Sequence, residues 1–282
     1  MPAEAAAFLA VDVGGSSVKH ALVVDGRLEA QGREPVAPEL DGLVAQLRLI
    51  RDEAPASPWG LCIAGLVDAE RGVVRYASNL PLRETPLLEL LPEPTVFAND
   101  LLAATVGEAA GGTLALLQAG TGIAGRCAVE GRVDARPYAG EVGHLRFRKG
   151  GSRCRCGQDG CAEAYGAWGG ILDRHAATGR PEPTPDSLFA AAEDDEWSRE
   201  VLDDALEAIG FAASALVAAC DPGMLRVGGG VAAAWGGTLL GAIREALATS
   251  VLPDVAAATT VEPARHGSAA ALLGLYRLSL EV

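Results

Sequence analysis

The sequence has no apolar run approaching the eighteen or so residues that a membrane span requires, although 49% of its 282 residues are hydrophobic. Much of that fraction is alanine, so a mean hydropathy of +0.21 does not point to a bilayer. The apolar stretch Ala5–Ala10 is interrupted at Asp12 and has no basic region before it, which argues against a signal peptide. Positive charge is scarce too: 23 Lys and Arg against 37 Asp and Glu leave a net charge of −14. Such a chain is poorly suited to hold DNA, RNA or anionic lipid nonspecifically, although backbone donors can still bind a small anion locally. No P-loop and no GxGxxG fingerprint is present, and no solenoid-length repeat stands out. Cysteine is too sparse for a secreted disulfide framework. Of the six, Cys154, Cys156 and Cys161 crowd together, while Cys62, Cys127 and Cys220 lie far apart. A cytoplasmic protein with one metal site and three ordinary thiols is the expectation.

What is present reads as α/β, in a chain long enough for two lobes. Phe8–Val13 and Val18–Val24 read as strands around a Gly14-Gly15-Ser16 turn, and Asp25-Gly26 signals a hairpin into a third. Leu40–Arg51 has helical periodicity. Leu61–Ala64 and Thr95–Ala98 are short strands, and Leu101–Ala110 is a helix stopped by Gly111-Gly112. Leu114–Gln118 and Ile123–Val129 are strands flanking Gly120-Thr121-Gly122. After an irregular Gly-, Arg- and Cys-rich stretch from Gly140 to Cys161, helices dominate: Glu163–His175, Trp197–Ala219, Thr238–Thr249 and Ser268–Ser279. Leu225–Val227 is a strand ending in Gly228-Gly229-Gly230.

The glycine turns suit phosphate. Gly14, Gly15 and Ser16 follow a strand, and glycine lets successive amides approach an anion. Asp12 beside such a turn makes sense with Mg²⁺ or a metal-bound water between it and the phosphate. Gly120, Thr121 and Gly122 repeat the pattern with a hydroxyl donor, and Gly228, Gly229 and Gly230 form a third cluster. Each alone is equally a tight turn; together they suggest a nucleotide held between lobes. Asn99 and Asp100 end an apolar strand at a helix start. Asp100 there is either an N-cap or a base that takes a proton from a substrate hydroxyl.

His144, Cys154, Cys156 and Cys161 supply the donors of a tetrahedral Cys₃His Zn²⁺ site, closed and therefore structural. Gly157 and Gly160 let the chain fold around the ion, and Arg153 and Arg155 would favour thiolates if their side chains turn inward. A disulfide with one free thiol is the alternative. Glu141 and Glu163 flank the site. As single residues they read as solvated surface groups. Beside a metal-bound imidazole, whose second nitrogen needs a partner, they are suited to accept hydrogen bonds from a polyol.

Taken in order, several segments resemble the ROK family (repressors, open reading frames and sugar kinases). They are Asp12-Val13-Gly14-Gly15-Ser16, Ala64-Gly65-Leu66-Val67-Asp68, Asn99-Asp100, Gly120-Thr121-Gly122 and Gly140-Glu141-Val142-Gly143-His144, then Cys154 to Glu163, and Gly228-Gly229-Gly230. The resemblance implies a two-lobed actin-like ATPase (ribonuclease H-like) fold. Residues 1–105 and a C-terminal helix over about 266–282 would form one lobe, and 106–265 the other. It also implies ATP and Mg²⁺ between the lobes and γ-phosphoryl transfer to a hexose 6-hydroxyl. Asp100 would be the base, and Asn99, Glu141, His144 and Glu163 would hold sugar hydroxyls with Gly65 lining the site. Glucose is the first expectation for the sugar. N-acetylmannosamine, N-acetylglucosamine, fructose, an aminosugar such as kanosamine, or a cyclitol are alternatives. A homodimer or homotetramer is expected. Sugar-responsive regulators of the family carry a helix-turn-helix ahead of the kinase-like part; about eight residues precede the first strand here, and the acidity also opposes that reading. The family commonly has proline where Ala64 stands, glycines where Ala124 and Arg126 stand, and lysine where Ser17 stands.

Overall fold

A computed structural model describes residues 7–77, 80–109 and 111–281. The chain divides into two compact units, one of Met1–Gly111, Arg132–Tyr138 and Ser268–Val282, the other of Gly112–Gly131 and Ala139–Gly267.

In the first unit, β1 (Phe8–Val13), β2 (Ser17–Val24), β3 (Arg27–Pro35), α1 (Leu40–Asp52) and β4 (Trp59–Ile63) precede a small antiparallel sheet of β5 (Leu66–Asp68), β6 (Val73–Tyr76) and β7 (Arg83–Thr85). Then come β8 (Val96–Asn99) and α2 (Asp100–Ala109). The main sheet runs β3-β2-β1-β4-β8, antiparallel across β3, β2 and β1 and parallel from β1 through β8. Every β1 residue is buried, as expected of a strand covered on both faces. Leu43, Val44, Leu47 and Ile50 follow one stripe of α1 and are buried in this unit's core. The helix expected over Leu101–Ala110 starts one residue earlier, and Ala110 lies outside the described residues.

The second unit begins with β9 (Leu114–Ala119) and β10 (Ile123–Val129), an antiparallel pair; the two-residue β11 (Arg132–Val133) that follows in the chain belongs to the stretch assigned to the first unit. The cysteine-rich segment leads into α3 (Glu163–Gly166), α4 (Trp168–His175), α5 (Pro185–Ala191) and the long α6 (Glu196–Cys220). Next are β12 (Met224–Gly228), α7 (Gly230–Ser250), α8 (Pro253–Ala258) and β13 (Thr260–Pro263), with β12 parallel to both β9 and β13. The apolar faces of α6 and α7 close over these strands. Two expectations change. The helix expected over Glu163–His175 is broken at Ala167, which is extended (φ −87°, ψ 147°). The helix expected from Thr238 begins at Gly230 and kinks at Gly236 (φ 46°, ψ −122°). Among the described residues, no helix is long and apolar enough to cross a membrane.

The chain returns to the first unit as α9 (Ala270–Ser279), which packs on α2. Glycines make this crossing close: a Cβ at Gly274 would run into the Ala103 carbonyl, and one at Gly107 into that of Ala270. Backbone atoms cannot yield as a side chain can, so Gly274→Ala should lower unfolding free energy by about 3 kcal/mol. Urea denaturation checks this; a loss under about 0.5 kcal/mol, the range of neutral surface changes, would mean the crossing is looser than described.

Candidate active site and metal centre

In the first unit, the β8–α2 junction presents Asn99 and Asp100. Asn99 is the helix cap: its Oδ1 accepts from the Leu102 amide at 3.0 Å, while its Nδ2 donates to the Gly65 carbonyl at 2.8 Å and to Asp100 Oδ1 at 3.0 Å. Gly65 adopts φ +125°, and a Cβ there would strike the Tyr76 carbonyl, so only glycine offers its oxygen to Asn99 in this way. Asp100 Oδ1 accepts from its neighbour's amide, Leu101 N, at 2.8 Å. Burial, then the nearby charge of Asp12, raises the Asp100 carboxyl to about 6; the Leu101 amide and Lys19 pull the other way.

Asp12 is buried on β1 between two partners. Lys19 Nζ donates to its Oδ2 at 2.8 Å and Cys62 Sγ to its Oδ1 at 3.5 Å. Burial, then Asp12 and Asp100, pushes the Cys62 thiol well up, so it remains a neutral donor. Lys19 had no assigned role in the sequence reading. Its signal lay in the hairpin register: a turn closed by Gly14 N to Ser17 O at 2.9 Å pairs Val13 with Val18 and therefore Asp12 with Lys19. Gly14, Gly15 and Ser16 form that turn.

The second unit gathers the other groups. One donor atom each from His144, Cys154, Cys156 and Cys161 lies within 4.8 Å of all the others. Zn–S bonds of about 2.3 Å at tetrahedral angles place two sulfurs roughly 3.8 Å apart. Cys156 Sγ and Cys161 Sγ stand at 3.7 Å, and Cys154 Sγ is 3.7 Å from His144 Nδ1, so the donor set fits a tetrahedral ion. Arg153 and Arg155 would favour thiolates only if their side chains turned inward, and both are engaged by carboxylates, Arg153 by Asp159 at 3.1 Å and Arg155 by Asp173 at 2.8 Å.

With Nδ1 facing sulfur, His144 directs Nε2 at two carboxylates: Glu141 Oε2 at 3.7 Å and Glu163 Oε1 at 3.8 Å. Neither distance is a hydrogen bond. Glu163 commits its other oxygen to the backbone, Oε2 accepting from Ile123 N at 2.9 Å. Burial raises the Glu141 carboxyl, as does Glu163, whereas His144 and Arg126 lower it. Arg126 is buried beside Gly140; it stands against the Gly140–Glu141 turn, which is tied to its strand by Gly125 N to Gly140 O at 2.8 Å.

Gly120, Thr121 and Gly122 form a loop held by the first amides of α4, Trp168 N to Gly120 O at 2.8 Å and Gly169 N to Thr121 O at 3.1 Å. Gly229 and Gly230 lie beside Gly120, so the second and third glycine clusters adjoin. Gly228 ends β12 opposite Gln118, and Gly229 takes φ +99° against the Ala119 carbonyl, where a side chain would collide. Two polar groupings thus emerge, one per unit: a buried carboxylate pair with its lysine, and a metal-type cluster beside a glycine-lined loop.

Known proteins resemble this chain in sequence and fold. The sequence model of the ROK family matches residues 8–282. The chain is 28% identical to a glucokinase of Halalkalibacterium halodurans, covering 95% of this chain and 93% of that one. It is 30% identical to an N-acetylmannosamine kinase of Pasteurella multocida, covering 94% of each. The crystal structure of a ROK hexokinase from Thermus thermophilus matches with a TM-score of 0.79 at 29% identity, covering 98% of this chain and all of that one.

Proposed function

The chain belongs to the ROK family, and on that premise we propose that it is an ATP-dependent hexokinase acting on the 6-hydroxyl of a hexose, glucose first. It is a phosphotransferase with a sugar hydroxyl as acceptor, as its glucokinase and hexokinase relatives are. The observation that carries the reading is Asp100: a carboxyl raised to about 6, at the end of a strand, with Asn99 doing the capping. Such a group is ionised at neutral pH yet basic enough to take a hydroxyl proton as the phosphoryl group arrives.

In this reading Asn99, Glu141, His144 and Glu163 hold the sugar's hydroxyls and Gly65 lines the site. The turns at 14–16, 120–122 and 228–230 face the nucleotide. ATP would enter as its Mg²⁺ complex, and Asp12, held by Lys19 and Cys62, would supply the carboxylate that meets the ion directly or through a bound water. His144, Cys154, Cys156 and Cys161 would hold zinc, which supplies order and fixes the His144 ring without taking part in transfer. Self-association as a homodimer or homotetramer is part of the proposal.

The 30% match to an N-acetylmannosamine kinase favours that sugar as the second reading. ATP turnover on a panel including D-glucose and N-acetylmannosamine separates the two; no turnover on D-glucose would remove the first.

The pH profile gives a further expectation. kcat/KM for the sugar should rise through about pH 6 and level off above it, because the base must be unprotonated. The charged and titratable groups facing Asp100 are Asp12, Lys19 and Cys62. Lys19→Met removes the cation among them, so the acid limb should move to higher pH. A limb that stays in place in this variant would exclude Asp100 as the group titrating there.

A further inference from the structure

We propose that Arg155 is a positioning residue that couples the metal-binding loop to the nucleotide loop. It sits between two cysteines of the metal cluster and feels the charge of Cys154, but its guanidinium hydrogen bonds go elsewhere. Nε and Nη2 form a fork on the Asp173 carboxylate, each bond 2.8 Å, and Nη2 also donates to the Gly169 carbonyl at 3.3 Å. Gly169 and Asp173 lie one turn apart on the same face of α4. One side chain of the cysteine loop therefore spans α4 from Asp173 in its second turn to Gly169 in its first turn.

That turn in turn holds Gly120–Gly122. The amides of Trp168 and Gly169 donate to the Gly120 and Thr121 carbonyls at 2.8 and 3.1 Å. Gly169 is confined from both sides: a Cβ there would stand 3.0 Å from the Thr121 oxygen and 3.1 Å from an Arg155 nitrogen. The break at Ala167 makes this possible, because a continuous helix would spend those two amides on its own carbonyls. The path is thus cysteine loop, Arg155, α4, nucleotide loop, all within one unit. A fork of this geometry is specific to arginine; lysine offers a point charge that cannot span Asp173 and Gly169 together.

The inference rests on reading Gly120–Gly122 as a nucleotide loop. The zinc-loaded protein and its Arg155→Met, Arg155→Lys and Asp173→Asn variants should be compared for binding of a non-hydrolysable ATP analogue by calorimetry, for KM of each substrate and for zinc content. Arg155→Met should weaken analogue binding and raise KM for ATP about fivefold, the scale of one well-formed exposed ion pair. The sugar KM should stay within twofold and zinc content should not change. Asp173→Asn, which leaves the cysteine loop intact, should do the same, and the double variant should be no worse than either single one. Arg155→Lys should recover only part of the loss. Unchanged analogue affinity in both single variants, or loss of zinc from Arg155→Met, would overturn the proposal. Wild-type protein that neither binds the analogue nor phosphorylates any sugar would instead overturn the kinase reading.

Discussion

Asp100→Asn should lower turnover by two to four orders of magnitude while sugar still binds, the contribution expected of a positioned general base. The substitution is gentle on the structure. An asparagine oxygen can keep the Oδ1 bonds from Leu101 N and Asn99 Nδ2, and Asn99, not Asp100, caps α2. Removing a carboxylate crowded by Asp12 also relieves repulsion, so the fold should be held or slightly stabilised. What the amide cannot do is accept a proton. A purely capping Asp100 predicts the opposite pattern, a small stability loss with turnover intact. Equilibrium sugar binding beside kcat distinguishes them, and near-normal kcat in the variant would remove Asp100 as the base.

Loss of the metal centre should have the second-largest effect. Metal analysis should find about one zinc per chain, since the four donors complete one tetrahedron. Cys161→Ser should forfeit that zinc and raise the sugar KM by tenfold or more, the range seen when support for a metal site is removed. Cys154 and Cys161 are buried in the second unit's core, and the segment around them is held by short backbone bonds such as Cys154 N to Gln158 O at 2.8 Å and Phe147 N to Gly160 O at 2.7 Å. Without an ion, burial and the neighbouring thiols raise Cys154 and Cys161 toward the neutral form, so the cluster gains little by staying closed. The nucleotide side should suffer less, because its links to the cysteine loop are a few hydrogen bonds, Arg155 to α4 and the Ile123 amide to Glu163. A well-folded, fully active, metal-free protein would refute the structural role.

The residues legible in the sequence were those whose chemistry is local. The Cys-x-Cys and Gly spacing announces a metal loop by itself, and Asn99-Asp100 after an apolar strand announces a helix start bearing acids. The hairpin of β1 and β2 was legible for the same reason, since its turn fixes its register. What escaped depends on partners far along the chain. Gly166, Gly169 and Gly170 stand around Ala167, but glycines alone do not place a break; that residue is extended where Trp168 and Gly169 bond to a loop nearly fifty residues earlier. Gly236 and Gly237 obscured the first turns of α7, where the backbone does kink but the helix resumes. β13 is a four-residue edge strand ending in proline, too short for periodicity to show. Arg155 looked like a thiolate neighbour because Asp173, its partner, stands eighteen positions away beyond that break.

In the proposed site His144 would join metal and sugar in one side chain, with Nδ1 toward Cys154 sulfur and Nε2 toward Glu141 and Glu163. Titration calorimetry of the sugar and of an ATP analogue, each into zinc-loaded and zinc-depleted protein, tests that division directly. The expected result is a sugar affinity that falls tenfold or more on depletion and is restored by zinc, with analogue affinity falling far less. Equal sugar affinity in the two preparations would contradict it.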